Sequence, residues 1–100
     1  MLDHCPATAE VLPEIVDAVG GKMTIFVDGA IRSGMDMFKA LALGADAVLI
    51  GRPFVTTVYG GGEEGVQLYV QKLKAELADT MRMCGAHSLA EIKRSMLFGF

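Results

Sequence analysis

The stretch that decides the fold is residues 23–53, MTIFVDGAIRSGMDMFKALALGADAVLIGRP. Two continuous apolar runs, Met23–Val27 and Ala47–Ile50, are typical of short strands buried on both faces. Between them, residues 34–43 carry apolar side chains at helical spacing, after a Ser33 that suits a helix N-cap. The stretch therefore predicts a strand–helix–strand unit in which parallel strands are joined by a right-handed crossover.

Helices are predicted on both sides of this unit. Residues 8–19 have apolar side chains at helical spacing, and Pro13 suits a first helical turn, so the main part of this helix is expected to start near Pro13. Residues 63–84 form a predicted long amphipathic helix with an acidic first turn. Ser88 with Glu91 makes a capping box that opens a last short helix.

The number of predicted strands bears on the fold class. The alternation of helices and strands indicates an α/β fold, but parallel sheets need several strands and cover on both faces. A complete (β/α)8 barrel takes about 250 residues, and this chain has 100. We therefore expect residues 1–100 to form the C-terminal part of a single TIM-barrel domain: its last two strands and their helices, followed by C-terminal helices.

Composition excludes several classes of protein. The chain is 52% apolar and 21% charged with a net charge of -3, which excludes a disordered chain and argues against a nucleic-acid binder. Two cysteines do not make a disulfide framework. No signal peptide is evident, and the most apolar stretch, residues 40–50, is too short to cross a bilayer. We therefore expect a cytoplasmic protein with neither a membrane nor a nucleic-acid partner.

The segments after the two predicted strands are expected to bind an anion. They are residues 28–34 and 51–53, and each combines glycine with arginine close to the start of a helix. Ligands bind at the carboxyl ends of parallel strands, glycine lets the backbone approach an anion, and a guanidinium group matches phosphate oxygens. Because the two segments follow adjacent strands, Arg32 and Arg52 are expected to converge on a single phosphate.

The same segments resemble a known family. Asp28-Gly-Ala-Ile-Arg-Ser-Gly, Lys39-Ala-Leu-Ala-Leu-Gly-Ala and Val48-Leu-Ile-Gly-Arg-Pro closely resemble the FMN-dependent α-hydroxy-acid oxidases and dehydrogenases. That group includes glycolate oxidase, lactate oxidase and FMN-linked L-lactate dehydrogenase. Similar runs cover almost the whole chain, among them Leu12-Pro-Glu-Ile-Val and Tyr59-Gly-Gly-Gly-Glu-Glu-Gly-Val. The resemblance implies FMN as the cofactor, and oxidation of a small 2-hydroxy acid to the 2-keto acid by the full-length enzyme.

The resemblance also implies roles for particular residues. Asp28 would hydrogen-bond the ribityl hydroxyls of FMN. Its phosphate would be held by backbone N–H groups of both loops and by Gly29, Arg32, Gly51 and Arg52. Ala30 stands where the family usually has glycine, so this position would be strained if its φ were positive, and its methyl group would crowd the phosphate.

The resemblance places the catalytic groups outside this chain. In the family, a catalytic histidine and a substrate-binding arginine lie in a His-Gly-x-Arg motif just before Gln-Leu-Asp, whereas this chain begins Met1-Leu2-Asp3. We therefore assign no catalytic residue and expect the isolated chain to be inactive. His4 follows the position of the motif, and His87 is expected in a turn, so neither is assigned as the base.

Other interpretations rest on weaker patterns. One alternative function stays open: a non-catalytic phosphate-binding or subunit-association module of TIM-barrel origin. Because two strands leave an apolar face uncovered, a homo-oligomer is expected.

Gly60-x-Gly62-x-x-Gly65 matches a dinucleotide fingerprint, but two glutamates would face the pyrophosphate. Cys84-x-x-His87 with His4-Cys5 is a weak zinc pattern because its halves lie far apart in the sequence, so no metal is expected.

Overall fold

The computed structural model describes residues 3–99, and it confirms the strand–helix–strand unit. Two parallel strands, β1 (Phe26–Asp28) and β2 (Ala47–Leu49), form one sheet in which Val27 pairs with Val48. The helices are α1 (Thr8–Val19), α2 (Gly34–Ala42) and α3 (Arg52–Cys84), and 3-10 turns follow at Leu89–Glu91 and Arg94–Met96. β1 begins at Phe26 and not at Met23, whose side chain is 62% exposed.

The main hydrophobic core lies between the sheet and the first two helices. Val27 of β1 packs there with Leu12 of α1, which is 2% exposed, and with Ala40 of α2. The opposite face of the sheet carries Phe26 and Leu49, which are 62% and 51% exposed within the described chain. This open face agrees with the sequence argument that two strands cannot bury both sides of a parallel sheet.

α1 begins earlier than predicted, and the expected start near Pro13 is wrong. The helix starts at Thr8 after Ala7, and Pro13 lies inside it. The Glu10 carboxylate accepts a hydrogen bond from the Ala7 N–H at 2.9 Å, and Leu12 is buried. These contacts stabilise the helical turn before the proline and outweigh the one backbone hydrogen bond that proline removes.

α3 reverses direction at a glycine. Gly62 has φ 55° and ψ -138°, a backbone conformation that is essentially restricted to glycine, and it separates residues 52–61 from residues 63–84. A Cβ at Gly65 would lie 2.5 Å from the Thr57 carbonyl oxygen, so the two helical parts pack side by side. The predicted helix over 63–84 is confirmed, and a shorter helix lies antiparallel to it.

The shorter helical part excludes the dinucleotide-binding alternative, which the sequence already disfavoured. A dinucleotide fingerprint at Gly60-x-Gly62-x-x-Gly65 needs a strand before it, but residues 55–59 are helical. This helix was not predicted because its valines, threonines and glycines all have low helix propensity. Packing against residues 63–84 outweighs that low propensity.

α2 packs directly on the backbone of α3. A Cβ at Gly34 would lie 2.6 Å from the Leu73 carbonyl oxygen and closer still to the Leu77 backbone nitrogen. The Gly34 N–H donates to Glu76 Oε1 at 3.1 Å. This contact holds the N-terminus of α2, and with it the loop that carries Arg32, against α3.

Candidate functional site

The loops that carry Arg32 and Arg52 begin at the same edge of the sheet. β1 ends at Asp28 and β2 at Leu49, and these two residues are partners in the strand register. Ser33 is the N-cap of α2, and α3 begins at Arg52. Each arginine therefore lies at or near the N-terminus of a helix, where the helix dipole favours a negatively charged ligand.

Arg32 and Arg52 line one open cleft with a volume of ≈ 380 Å³. Among residues 3–99, the salt bridge that forms joins Arg82 to Asp79, and neither cleft arginine takes part in one. The two arginines thus border one space, and neither is paired with a carboxylate. Planar forks of N–H donors in this arrangement suit a phosphate-sized anion.

Two threonines of the cleft use their hydroxyl protons within α3. Thr56 Oγ1 donates to the Arg52 carbonyl oxygen at 3.4 Å, and Thr57 Oγ1 donates to the Phe54 carbonyl oxygen at 3.0 Å. Hydroxyls that bond back to their own helix in this way are not free to donate to a ligand. Among these side chains, the arginines are therefore the ones that are free to donate to an anion.

Tyr69 also lines the cleft, and sequence reasoning missed it. Its hydroxyl donates to the Arg32 carbonyl oxygen at 2.7 Å, and its ring packs edge-on against Phe54 with the ring centroids 5.1 Å apart. Partial burial, followed by the carboxylates of Glu76 and Asp36, raises the pKa of Tyr69 above its usual value. The phenol therefore stays a protonated donor across the neutral range.

A signal for Tyr69 is present in the sequence, although a weak one. It lies one helical turn before Leu73, which is buried, so the helical period places its ring on the face that packs. A tyrosine at such a position usually finds a partner for its hydroxyl. The identity of that partner depends on the tertiary fold.

The other predicted site residues lie at the same sheet edge but do not line this cleft. Asp28 is exposed at the end of β1, on the open face of the sheet, and Gly51 is the N-cap of α3. Gly29 and Ala30 border a second cavity of ≈ 190 Å³ between β1, α1 and α2. The structure therefore brings the two arginines together and places the remaining four residues around them.

Ala30 has the backbone conformation for which strain was expected. Its φ is 56°, and that of the preceding Gly29 is 116°. A side chain with a Cβ at positive φ costs about 1–2 kcal/mol relative to glycine. The structure thus meets the condition under which alanine is strained at this position.

Two backbone N–H groups of the Arg32 loop are already occupied. The Arg32 N–H donates to Asp36 Oδ2 at 3.1 Å, and the Gly34 N–H donates to Glu76 Oε1 at 3.1 Å. Ser33 caps α2 as predicted, because its Oγ accepts from the Asp36 N–H at 3.2 Å. An anion at this loop would meet the Arg32 guanidinium and not these two N–H groups. The expectation that backbone N–H groups of this loop hold the phosphate therefore does not extend to Arg32 and Gly34.

Both histidines lie away from the cleft. His4 is in a turn before α1, and His87 follows α3. Within residues 3–99 no group of three or more His, Cys, Asp and Glu side chains is placed to hold a metal ion, and none of the helices is long and apolar enough to cross a membrane. Leu2, which belongs to the resemblance, and Met1, which departs from it, lie outside the described residues.

The sequence and the structure are similar to proteins of one kind. A family profile described as FMN-dependent dehydrogenase matches residues 1–98. The peroxisomal (S)-2-hydroxy-acid oxidase of Oryza sativa subsp. japonica is 48% identical over 94 residues, and the L-lactate oxidase of Roseobacter sp. is 45% identical over 100 residues. These alignments cover 94% and 100% of this chain but 26% and 27% of the relatives, so the chain spans about a quarter of their length.

A solved structure of mandelate oxidase with benzoyl-formic acid is similar as well. It has a TM-score of 0.89 to this chain and is 42% identical in sequence. The match covers 94% of this chain and 28% of the mandelate oxidase chain. The helices and strands described above therefore recur as one part of a larger protein.

Proposed function

The chain belongs to the FMN-dependent dehydrogenase family, and from this we propose that it binds the phosphate end of FMN in a 2-hydroxy-acid oxidase or dehydrogenase. The observation that carries the proposal is that Arg32 and Arg52 line one cleft at the carboxyl edge of two parallel strands. Relatives named as 2-hydroxy-acid oxidase and L-lactate oxidase support a small 2-hydroxy acid as the substrate of the full-length enzyme.

The residues of this edge fit the phosphate and ribityl parts of FMN. Two guanidinium groups without carboxylate partners supply positive charge and paired N–H donors to a phosphate. Asp28 is exposed at the end of β1, where its carboxylate is able to accept hydrogen bonds from ribityl hydroxyls. When bound, FMN supplies the oxidation by accepting the equivalent of a hydride, and these residues bind and orient its phosphate end.

The fold supports a place for the chain within a larger barrel. We propose that residues 1–100 form the C-terminal part of one (β/α)8 domain, with the face of Phe26 and Leu49 turned to the barrel interior. The chain spans about a quarter of the length of its relatives. The groups that bind the flavin ring and the substrate carboxylate are accordingly proposed to lie in other parts of the full-length enzyme.

We expect the isolated chain to bind FMN weakly, to prefer it to riboflavin, and to leave 2-hydroxy acids unoxidised. Riboflavin lacks the phosphate, so the charged hydrogen bonds to both arginines are lost and binding is expected to weaken about hundredfold or more. Neither histidine lies at the cleft, and a positioned base typically contributes about 10²–10⁴-fold to such a reaction. NMR titrations with FMN and with riboflavin measure the preference, and flavin absorbance without oxygen measures oxidation of added 2-hydroxy acids.

Two results would contradict this proposal in different ways. Equal affinity for FMN and riboflavin would show that the chain does not contact the phosphate, and the proposal rests on that contact. Bleaching of the flavin that depends on the chain and is lost in the variant His4→Ala would overturn the expected inactivity and identify His4 as the base.

The open sheet face favours a second candidate function, a module that associates with another subunit. Phe26 and Leu49 lie on the same face of adjacent strands and are 62% and 51% exposed. Exposed apolar faces beside unpaired strand edges favour association. We therefore predict a dimer or higher oligomer in sedimentation experiments at high micromolar concentration. A monomer with cooperative unfolding under these conditions would count against this prediction.

The cellular location stays a prediction. A cytoplasmic location is the expectation stated from the sequence. The rice relative, in contrast, is named as a peroxisomal enzyme. Fluorescent tagging of the full-length enzyme in its own cells is the measurement that separates the two locations.

A further inference from the structure

We infer that Tyr69 is a positioning residue for the arginine cleft, joining the loop of Arg32 to the helix that begins at Arg52 and so fixing the separation of the two guanidinium groups. The inference rests on the proposed function and adds to it a residue that contacts both parts of the site.

Tyr69 makes one contact with each arginine-bearing segment. Its hydroxyl donates to the Arg32 carbonyl oxygen at 2.7 Å, a bond between residues far apart in the sequence. Its ring meets that of Phe54, two residues after Arg52, at a centroid distance of 5.1 Å and an interplanar angle of 76°. Edge-to-face pairs of this kind add to the stabilisation that burial gives. The Tyr69 side chain therefore restrains both the loop of Arg32 and the helix that begins at Arg52.

The hydroxyl acts on the protein and not on the ligand. A phenol has a single proton to donate, and here the Arg32 carbonyl oxygen accepts it. The Arg32 N–H is held separately by Asp36 Oδ2 at 3.1 Å. Both polar groups of the Arg32 backbone are therefore restrained, so the guanidinium is presented from a fixed base and less conformational freedom is lost when an anion binds.

The test is the substitution Tyr69→Phe, which removes the hydroxyl and keeps the ring beside Phe54. We expect the affinity for FMN to fall about three- to tenfold, because the Arg32 loop, no longer held by the hydroxyl, must be ordered when the phosphate binds, while the weak affinity for riboflavin does not change. The preference for FMN then falls by the same factor. The matched control is Tyr59→Phe, because Tyr59 is 89% exposed and lies outside the cleft.

Each outcome has a distinct meaning. If Tyr69→Phe lowers the affinities for FMN and riboflavin by the same factor and also lowers the helical circular dichroism signal, the role of Tyr69 is purely structural and the inference is overturned. If the unsubstituted chain prefers FMN and Tyr69→Phe keeps that preference within about twofold, the inference is overturned and the proposed function stands. If the unsubstituted chain has no preference for FMN, the proposed function is overturned and the inference with it.

A second substitution tests the ring contact and serves if Tyr69→Phe does not fold. Phe54→Leu keeps the Tyr69 hydroxyl and removes the edge-to-face pair. We expect a loss of FMN preference in the same direction, about two- to fivefold, because the restraint on the helix of Arg52 is weakened. An unchanged preference in a folded Phe54→Leu chain would overturn the inference.

Discussion

Replacing Arg32 and Arg52 together by alanine should abolish the preference of the chain for FMN over riboflavin. Hydrogen bonds to charged groups contribute about 1.5–3 kcal/mol each, and each 1.4 kcal/mol is tenfold in affinity. We therefore expect either single substitution to weaken FMN binding about ten- to hundredfold. Both side chains are exposed and take part in no salt bridge within residues 3–99, so their removal should leave the fold intact.

One further variant separates geometry from charge, and another is a control. Arg52→Lys keeps the positive charge but loses the planar fork of donors, so we expect it to recover only part of the affinity. Arg82→Ala is the matched control, because Arg82 is paired with Asp79 on the surface and its side chain is 74% exposed. If the double variant changes FMN affinity no more than Arg82→Ala does, the proposal that this cleft binds the FMN phosphate is contradicted.

Gly34→Ala should be the most destabilising single substitution at the helix interface. A Cβ there would meet the backbone of Leu73 and Leu77, which cannot move without displacing α3. Overpacking of this kind typically costs about 1–3 kcal/mol, and we expect the upper end because the obstruction is backbone. Such a loss is a large fraction of the roughly 5–15 kcal/mol that stabilises a small domain.

The control for this substitution is Gly60→Ala. Outside its own helical turn, no atom lies within 4 Å of a Cβ at Gly60, and the residue lies in the helical part of α3 before Gly62. Alanine is favoured over glycine in a helix by up to about 1 kcal/mol, so this variant should be as stable as the unsubstituted chain or more so. Urea unfolding followed by circular dichroism compares the two; a Gly34→Ala chain as stable as Gly60→Ala would show that α2 and α3 do not pack as described.

The parts of the structure that follow from local sequence patterns were predictable. Continuous apolar runs located both strands, and Ser33 was found as a helix cap because capping uses residues only three positions apart. The arginines were brought to one cleft by topology alone, since parallel strands end at the same edge. These inferences need no knowledge of how the helices pack.

The parts that were missed depend on contacts between distant residues. The Tyr69 hydroxyl reaches Arg32 over 37 positions, and Glu76 reaches Gly34 over 42. No periodic pattern in the sequence indicates either pairing, because side-chain partners across a helix interface are set by the angle and register of the helices. The same limit applies to Pro13, where tertiary packing outweighed the local preference for starting a helix.

Local patterns predicted that Ser33 caps α2 but not the bond that the Asp36 side chain makes there. In a capping box the acidic side chain returns to the N–H of the cap residue itself. Here Asp36 accepts from the N–H of Arg32, one residue earlier than Ser33. The difference matters for function, because it fixes the backbone of the residue whose side chain lines the cleft.

Phosphate recognition by this chain is tested most directly by a phosphorus-31 NMR titration of FMN. As the chain is added, we expect the phosphate resonance to shift and broaden while the proton resonances of the flavin ring change little, because the proposal places Arg32 and Arg52, which line the cleft, at the phosphate end alone. Perturbed ring protons together with an unchanged phosphate resonance would contradict binding of FMN through its phosphate at this cleft.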